Sequence, residues 1–317
     1  MRKISVTGLL AAFSVVATTV PAFADPSYTA YDLLDSFNVI TSGNFTTSAE
    51  TEGAVLIGGD LGPGSGGVDN KTGSASITTN LAPYFGQVSV YGNAYGTWTT
   101  NAGDTVLIGG SSSASFANAT TVTPSASFTI SSTEVQQVLS NLSTSLAGQS
   151  GTSISPTSGQ LTFTGAKNGG TDYFTISLAQ LQTASSVGFD IGTDSVVINV
   201  TGTGSFTQGF NFIGSPASNA DNVIWNFEGA TSLAITTYYG TILALDASVT
   251  NTSYIDGTLA SASFDGGGEV HSFPYTGNQP PVTPPTPPVT PVPEPAAAAV
   301  FLTALLGLAG CRRAFRG

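Results

Sequence analysis

The sequence predicts an all-β body, a solenoid of stacked strand-and-turn units with one amphipathic α-helix packed alongside. A β-sandwich is the alternative. Three observations lead there. First, Val55-Leu56-Ile57-Gly58-Gly59 recurs as Val106-Leu107-Ile108-Gly109-Gly110. A β-branched run closed by two glycines is a strand feeding a tight turn, because glycine enters positive φ without a Cβ clash. A repeat at this spacing points to units that each bury an apolar face against the next. Second, short apolar runs follow one another densely from Ser195 onward, separated by Gly, Asn, Asp and Ser. Third, one stretch breaks the β pattern and has helical spacing.

The elements follow in order. Tyr31, Leu34 and Phe37 fall at helical spacing, so a short helix within Tyr28 to Phe37 precedes a strand at Phe37-Asn38-Val39-Ile40. The echo extends upstream: Gly43-Asn44-Phe45-Thr46-Thr47 lines up with Gly96-Thr97-Trp98-Thr99-Thr100. Between the copies, Leu61 to Gly73 reads as a glycine-rich surface loop. Its Gly62, Gly64 and Gly67 match a dinucleotide fingerprint by letter only, since no βαβ unit follows. Val88-Ser89-Val90-Tyr91 leads into the second copy.

Ser131-Ser132-Thr133-Glu134 is a capping-box signature, and Val135, Val138, Leu139, Leu142 and Leu146 then share one helical face before Gly148. That face must cover the flank of the β body. Strands are expected at Leu161 to Thr164 and Tyr173 to Ile176, with a short helix at Ser177 to Gln182. Further strands follow at 196–200, 210–213, 223–227, 233–236, 240–245 and 248–250.

The ends carry different signals. Arg2 and Lys3 precede an apolar stretch, then Ala22-Phe23-Ala24, so residues 1–24 read as a secretory signal peptide cleaved after Ala24. The β body spans 25–276 and a proline-rich linker 277–295; nine of the sixteen residues from Pro280 to Pro295 are proline. As polyproline II at roughly 3.1 Å per residue those sixteen extend about 50 Å. Residues 296–311 are uncharged and largely apolar, and 312–317 form a basic tail with Arg312 and Arg313 as a membrane stop. Sixteen helical residues rise only about 24 Å, short for a permanent span.

Charge excludes several functions. The body's basic residues are Lys71 and Lys167, against eighteen acids, a formal charge of −16. Nucleic acid, which needs Lys or Arg to displace counterions, is excluded as a partner. The lone cysteine, Cys311, rules out an intramolecular disulfide.

His271 is the single histidine, so multi-histidine metal sites are impossible. It reads as closing the last turn, with Glu269 on the same side of a strand. Asp190 with Asp194, or Glu50 with Glu52, are the pairs from which glycosidase-type carboxylates could be built; as loop acids they read as solvated. Oxygen ligands at Asp60, Asp69, Asn70, Asp104, Asp221 or Asp256 suit calcium, although none forms an EF-hand or nonapeptide repeat. No catalytic residue and no other cofactor is expected. Thr46-Thr47 and Thr99-Thr100 invite an ice-binding reading, but no regular Thr-x-Thr ladder repeats.

Two resemblances rest on these residues. Pro293-Glu294-Pro295, the apolar segment and Arg312-Arg313 resemble a PEP-CTERM sorting signal. That resemblance implies export in a Gram-negative envelope, processing by an exosortase-like enzyme and an association with exopolysaccharide. The body is similar to the choice-of-anchor A family of adhesin-like domains. The likeness rests on Phe37-Asn38-Val39-Ile40, the run from Val55 to Asp60, Val223-Ile224-Trp225-Asn226-Phe227, Gly240-Thr241-Ile242-Leu243-Ala244 and Gly267-Gly268-Glu269-Val270-His271. It implies a right-handed parallel β-helix with a helix alongside and brings no catalytic residue. The expected function is that of a non-catalytic surface or matrix protein that binds glycans; a polysaccharide-active β-helix or an ice-binding protein are the alternatives.

Overall fold

The computed structural model describes residues 28–73 and 76–282. The signal-peptide reading, with Ala22 and Ala24, lies outside the described residues. So does the terminal reading, with Pro293, Glu294, Pro295, Arg312 and Arg313.

Strands dominate and their ladders are parallel. Fourteen strands form a large sheet, seven a second and three a third. Among the described residues the one antiparallel contact is the isolated bridge Thr157↔Gln160. An antiparallel sandwich, the usual form of the alternative, is therefore not what the chain builds.

The large sheet has apolar residues on both sides, which explains its continuous apolar runs. In Val39–Thr41, Val39 enters the interior core with Val55, Val88 and Val106, while Ile40 enters a second, outer core with Leu56, Val197, Ile224 and Leu243. Two helices cover that outer core. Helix α1 (Ala30–Ser36) opens with a capping box between Thr29 and Asp32. Helix α2 (Ser132–Ala147) opens with the expected one between Ser131 and Glu134, and buries Val135, Leu139, Leu142 and Leu146. Helix α3 is Leu178–Gln182. Polar ties lock α2 to the sheet. Asn226 Nδ2 donates to Ser143 O at 3.0 Å, and Asn199 Nδ2 donates to Leu146 O at 2.8 Å.

Val55, Val88 and Val106 stand in one row, so the two echoed runs occupy equivalent positions with the strand Val88–Val90 between them. Register corrects three other readings. The upstream alignment fails. Phe45 stands in a row with Leu61, Ala94 and Ser112, whereas Trp98 lies in the seven-stranded sheet opposite Gly66. Second, the supposed loop Leu61 to Gly73 contains the strand Ser65–Val68, paired on both sides. Its glycines are poor strand formers alone, but a Cβ on Gly66 would lie 2.3 Å from Ala49 O, so close approach requires them. The runs 240–245 and 248–250 are also one long strand, Thr241–Asn251, whose register against Leu259–Gly266 shifts between Ala244 and Ser248.

Candidate functional site

Where a strand buries only one face, its side chains alternate, and five such strands lie side by side: Gly204–Thr207, Ala230–Ile235, the end of Thr241–Asn251, the end of Leu259–Gly266, and Phe45–Thr47. Phe206, Leu233, Val249, Phe264 and Phe45 point inward and are at most 2 % exposed. The residues before them form one outward column, Ser205, Ser232, Ser248 and Ser263. Asn44 continues it, since its carbonyl accepts from Phe264 N at 3.1 Å. The residues after them form a second column, Thr207, Ala234, Thr250, Asp265 and Thr46. Parallel strands lie about 4.8 Å apart and alternate residues about 6.6 Å apart, so the columns form a regular polar grid.

Side chains bridge neighbouring rows. Ser263 Oγ donates to Ser248 Oγ at 3.0 Å and Thr46 Oγ1 to Asp265 Oδ1 at 2.8 Å. Beyond Asn44 the first column runs on through Asp60, Asn93 and Ser111. Asn44 Oδ1 accepts from Asp60 N at 2.9 Å, Asp60 Oδ1 from Asn93 N at 2.7 Å, and Asn93 Oδ1 from Ser111 N at 3.0 Å. The hydroxyls of Ser205, Thr207, Ser232 and Thr250 have no partner among the described residues, which leaves them for a ligand. The sequence shows the signal only as scattered polar-apolar-polar triplets, such as Ser248-Val249-Thr250.

The outer side of the seven-stranded sheet has a different chemistry. His271 donates from Nδ1 to Asp256 Oδ1 at 2.6 Å, and its Nε2 lies 2.9 Å from Glu269 Oε2, so the shared side expected for Glu269 and His271 is present. The Tyr254 ring stacks on the imidazole at 5.2 Å, and its hydroxyl meets Tyr239 Oη at 2.7 Å. Glu52 accepts from Lys71 Nζ at 2.7 Å and from Ser272 N at 2.9 Å. Burial opposes an imidazolium, but Glu269 and Asp256 outweigh it and raise the His271 pKa; burial also raises Asp256.

The other acids disperse. Asp60 is in the first column, Asp221 accepts from Thr276 N at 2.8 Å through its carbonyl, and Asp256 binds His271. Asp69 and Asp104, both buried, are hydrogen-bonded to each other, and burial raises Asp104. The Asn70 side chain packs over Gly67. Two carboxylates fall short of the six to eight oxygens calcium takes. Among the described residues no group of three or more His, Cys, Asp or Glu is placed to hold a metal ion. The carboxylate pairs do not form as the sequence suggested. Asp194 pairs with Asp172, Asp190 holds Lys167 at 2.5 Å, and exposed Glu50 stands opposite Gly67 while Glu52 holds Lys71. Nor do the threonine pairs share a face: Thr46 lies on the hydroxyl grid, Thr99 in the seven-stranded sheet, and Thr47 and Thr100 are buried.

Residues 30–272 match the family described as "Putative Ice-binding-like adhesive domain". No curated protein matches, and no solved structure does.

Proposed function

Since the chain belongs to the ice-binding-like adhesive domain family, we propose that it is an exported, non-catalytic adhesin and that the hydroxyl columns are its binding surface. The observation that carries this is the alignment of Ser205, Ser232, Ser248 and Ser263 beside Thr207, Thr250 and Thr46 over a continuous apolar row. Hydroxyls donate and accept, so such a grid exchanges hydrogen bonds with a hydroxylated surface at little desolvation cost. We read successive parallel rows as turns of one right-handed β-helix, which would keep the grid rigid. In the same reading Pro293-Glu294-Pro295 is the site of an exosortase-like enzyme, residues 296–311 lie in the membrane during sorting, and the partner is an exopolysaccharide or another surface glycan of the cell envelope.

Ice is the second reading, favoured by the family description and the aligned hydroxyl columns. The grid departs from uniformity at Ala234, Asp265 and Asn44, and Asp265 brings a charge that favours liquid water over a lattice. That weighs toward a hydrated polymer.

The test compares wild type with Thr250→Arg in attachment to glycan-coated surfaces and in ice recrystallisation. Loss of glycan attachment in the variant is the expected result. Selective loss of ice activity would move the reading to ice. Unchanged attachment would remove the grid from the binding surface.

A further inference from the structure

At the edge of the grid, between α2 and the strand turns, lies a groove of about 490 Å³, within the 300–1,000 Å³ of small-molecule sites. We propose that this groove binds one end of a neutral, polyhydroxylated saccharide. The proposal rests on the adhesin reading and deepens it.

Position is the first argument. Asp246 lies where the register of Thr241–Asn251 against Leu259–Gly266 shifts, two residues before Ser248, and Ser42 lies in the turn before Asn44, so the groove opens at the corner where the strands pass from the face α2 covers to the grid. The end of a chain lying along the strands on the grid reaches that corner.

Lining is the second. Ala147 and Leu245 contribute apolar surface, while Ser140 and Thr144 of α2 face Glu228 and Asp246 across it. Donors and acceptors set around apolar surface match a sugar ring, whose hydroxyls surround C–H faces. These polar groups are idle. Ser143 is occupied in tying α2 to Asn226, but the side chains of Ser140, Thr144, Glu228 and Asp246 have no hydrogen-bond partner among the described residues. Burial raises the Glu228 pKa, as expected for a carboxylate held without a cation.

Charge selects within the class. The body's two lysines are engaged elsewhere, Lys71 with Glu52 and Lys167 with Asp190. A uronate or phosphate would meet Glu228 and Asp246 with no counter-charge. Neutral hydroxyl pairs instead donate to both carboxylates.

The test uses the full chain, with calorimetry and saturation-transfer NMR against neutral gluco- and manno-oligosaccharides, uronate oligomers and amino-sugar oligomers. Ser140 is exposed, so Ser140→Trp fills the groove without disturbing the buried face of α2. The expected result is binding of neutral oligosaccharides, weakened about tenfold or more by Ser140→Trp at unchanged melting temperature. No binding of neutral oligosaccharides, equal or tighter binding of uronates or amino sugars, or indifference to Ser140→Trp would each overturn it. Oligosaccharide binding that needs Ser140 in a chain that attaches to no surface would sink the adhesin reading and leave the groove site standing. Attachment lost in Thr250→Arg alongside indifference to Ser140→Trp would do the reverse.

Discussion

The hydroxyl grid and the outer side of the seven-stranded sheet are both parallel-strand surfaces over a shared interior core, yet they treat polar groups in opposite ways. On the His271 side the ring is held by Asp256 and Glu269 and stacked on Tyr254, while Lys71 is held by Glu52. On the grid, the hydroxyls of Ser205, Thr207, Ser232 and Thr250 have no partner among the described residues. A surface whose polar groups satisfy one another stabilises the fold and offers little to a ligand. One with aligned unpaired hydroxyls is solvated when free and ready to exchange that water.

Four measurements break or sharpen this contrast. The largest effect is expected beneath the grid. Phe264 is 2 % exposed and packs on Phe45 at 5.6 Å, so Phe264→Ala should cost about 3–5 kcal/mol in denaturant unfolding. A cost near zero would mean that the grid lacks its rigid support. Next, Ser248→Arg on the grid should lower attachment about tenfold or more while moving stability by no more than about 0.5 kcal/mol. His271→Asn on the other face should leave attachment unchanged; equal losses in both variants would abolish the functional contrast.

The third measurement is a pH profile of stability. The folded His271 pKa is raised above its ordinary 6.5 by Glu269 and Asp256, so the folded state binds more protons than the unfolded chain. The stabilisation is full below about pH 6.5 and is lost as pH rises through the raised folded value. Thermal melts should therefore fall in this window for wild type and flatten in His271→Asn; a wild-type melt that rises there would reverse the sign. The smallest effect belongs to Ser263→Ala, which removes one exposed hydroxyl pair at 3.0 Å and should change stability by about 0.5 kcal/mol or less in the same melts.

Much of the fold was legible. The capping box at Ser131 and Glu134 and the spacing of Val135, Leu139, Leu142 and Leu146 are contacts within a few residues, so they located α2 and its buried face. Doubly buried runs such as Val55-Leu56-Ile57 and Val223 to Phe227 were equally plain, because both of their faces meet apolar neighbours. Ser65–Val68 was hidden: its strand character comes from parallel partners on both sides, which outweigh the low propensity of Gly66 and Gly67.

The candidate site was much less legible. The spacing from Ser205 to Ser232, Ser248 and Ser263 is 27, 16 and 15 residues, so no period marks the column. Its next member in space, Asn44, lies 219 residues earlier in the chain than Ser263. The groove was equally hidden, because Ser140, Glu228 and Asp246 meet only when α2 lies over the turns.

The sequence by itself determined the class of the apolar elements, the negative body nearly without cations, the face α2 buries and the absence of multi-histidine chemistry. All of these depend on composition or on contacts within a turn or two of chain. Only the tertiary structure decided which strands are neighbours, and therefore which hydroxyls align, which acids meet His271 and what borders the groove. The physical reason is that loop closure depends only weakly on loop length. Connections of different lengths can thus bring their strands into the same register, and the sequence spacing retains no record of the column they form.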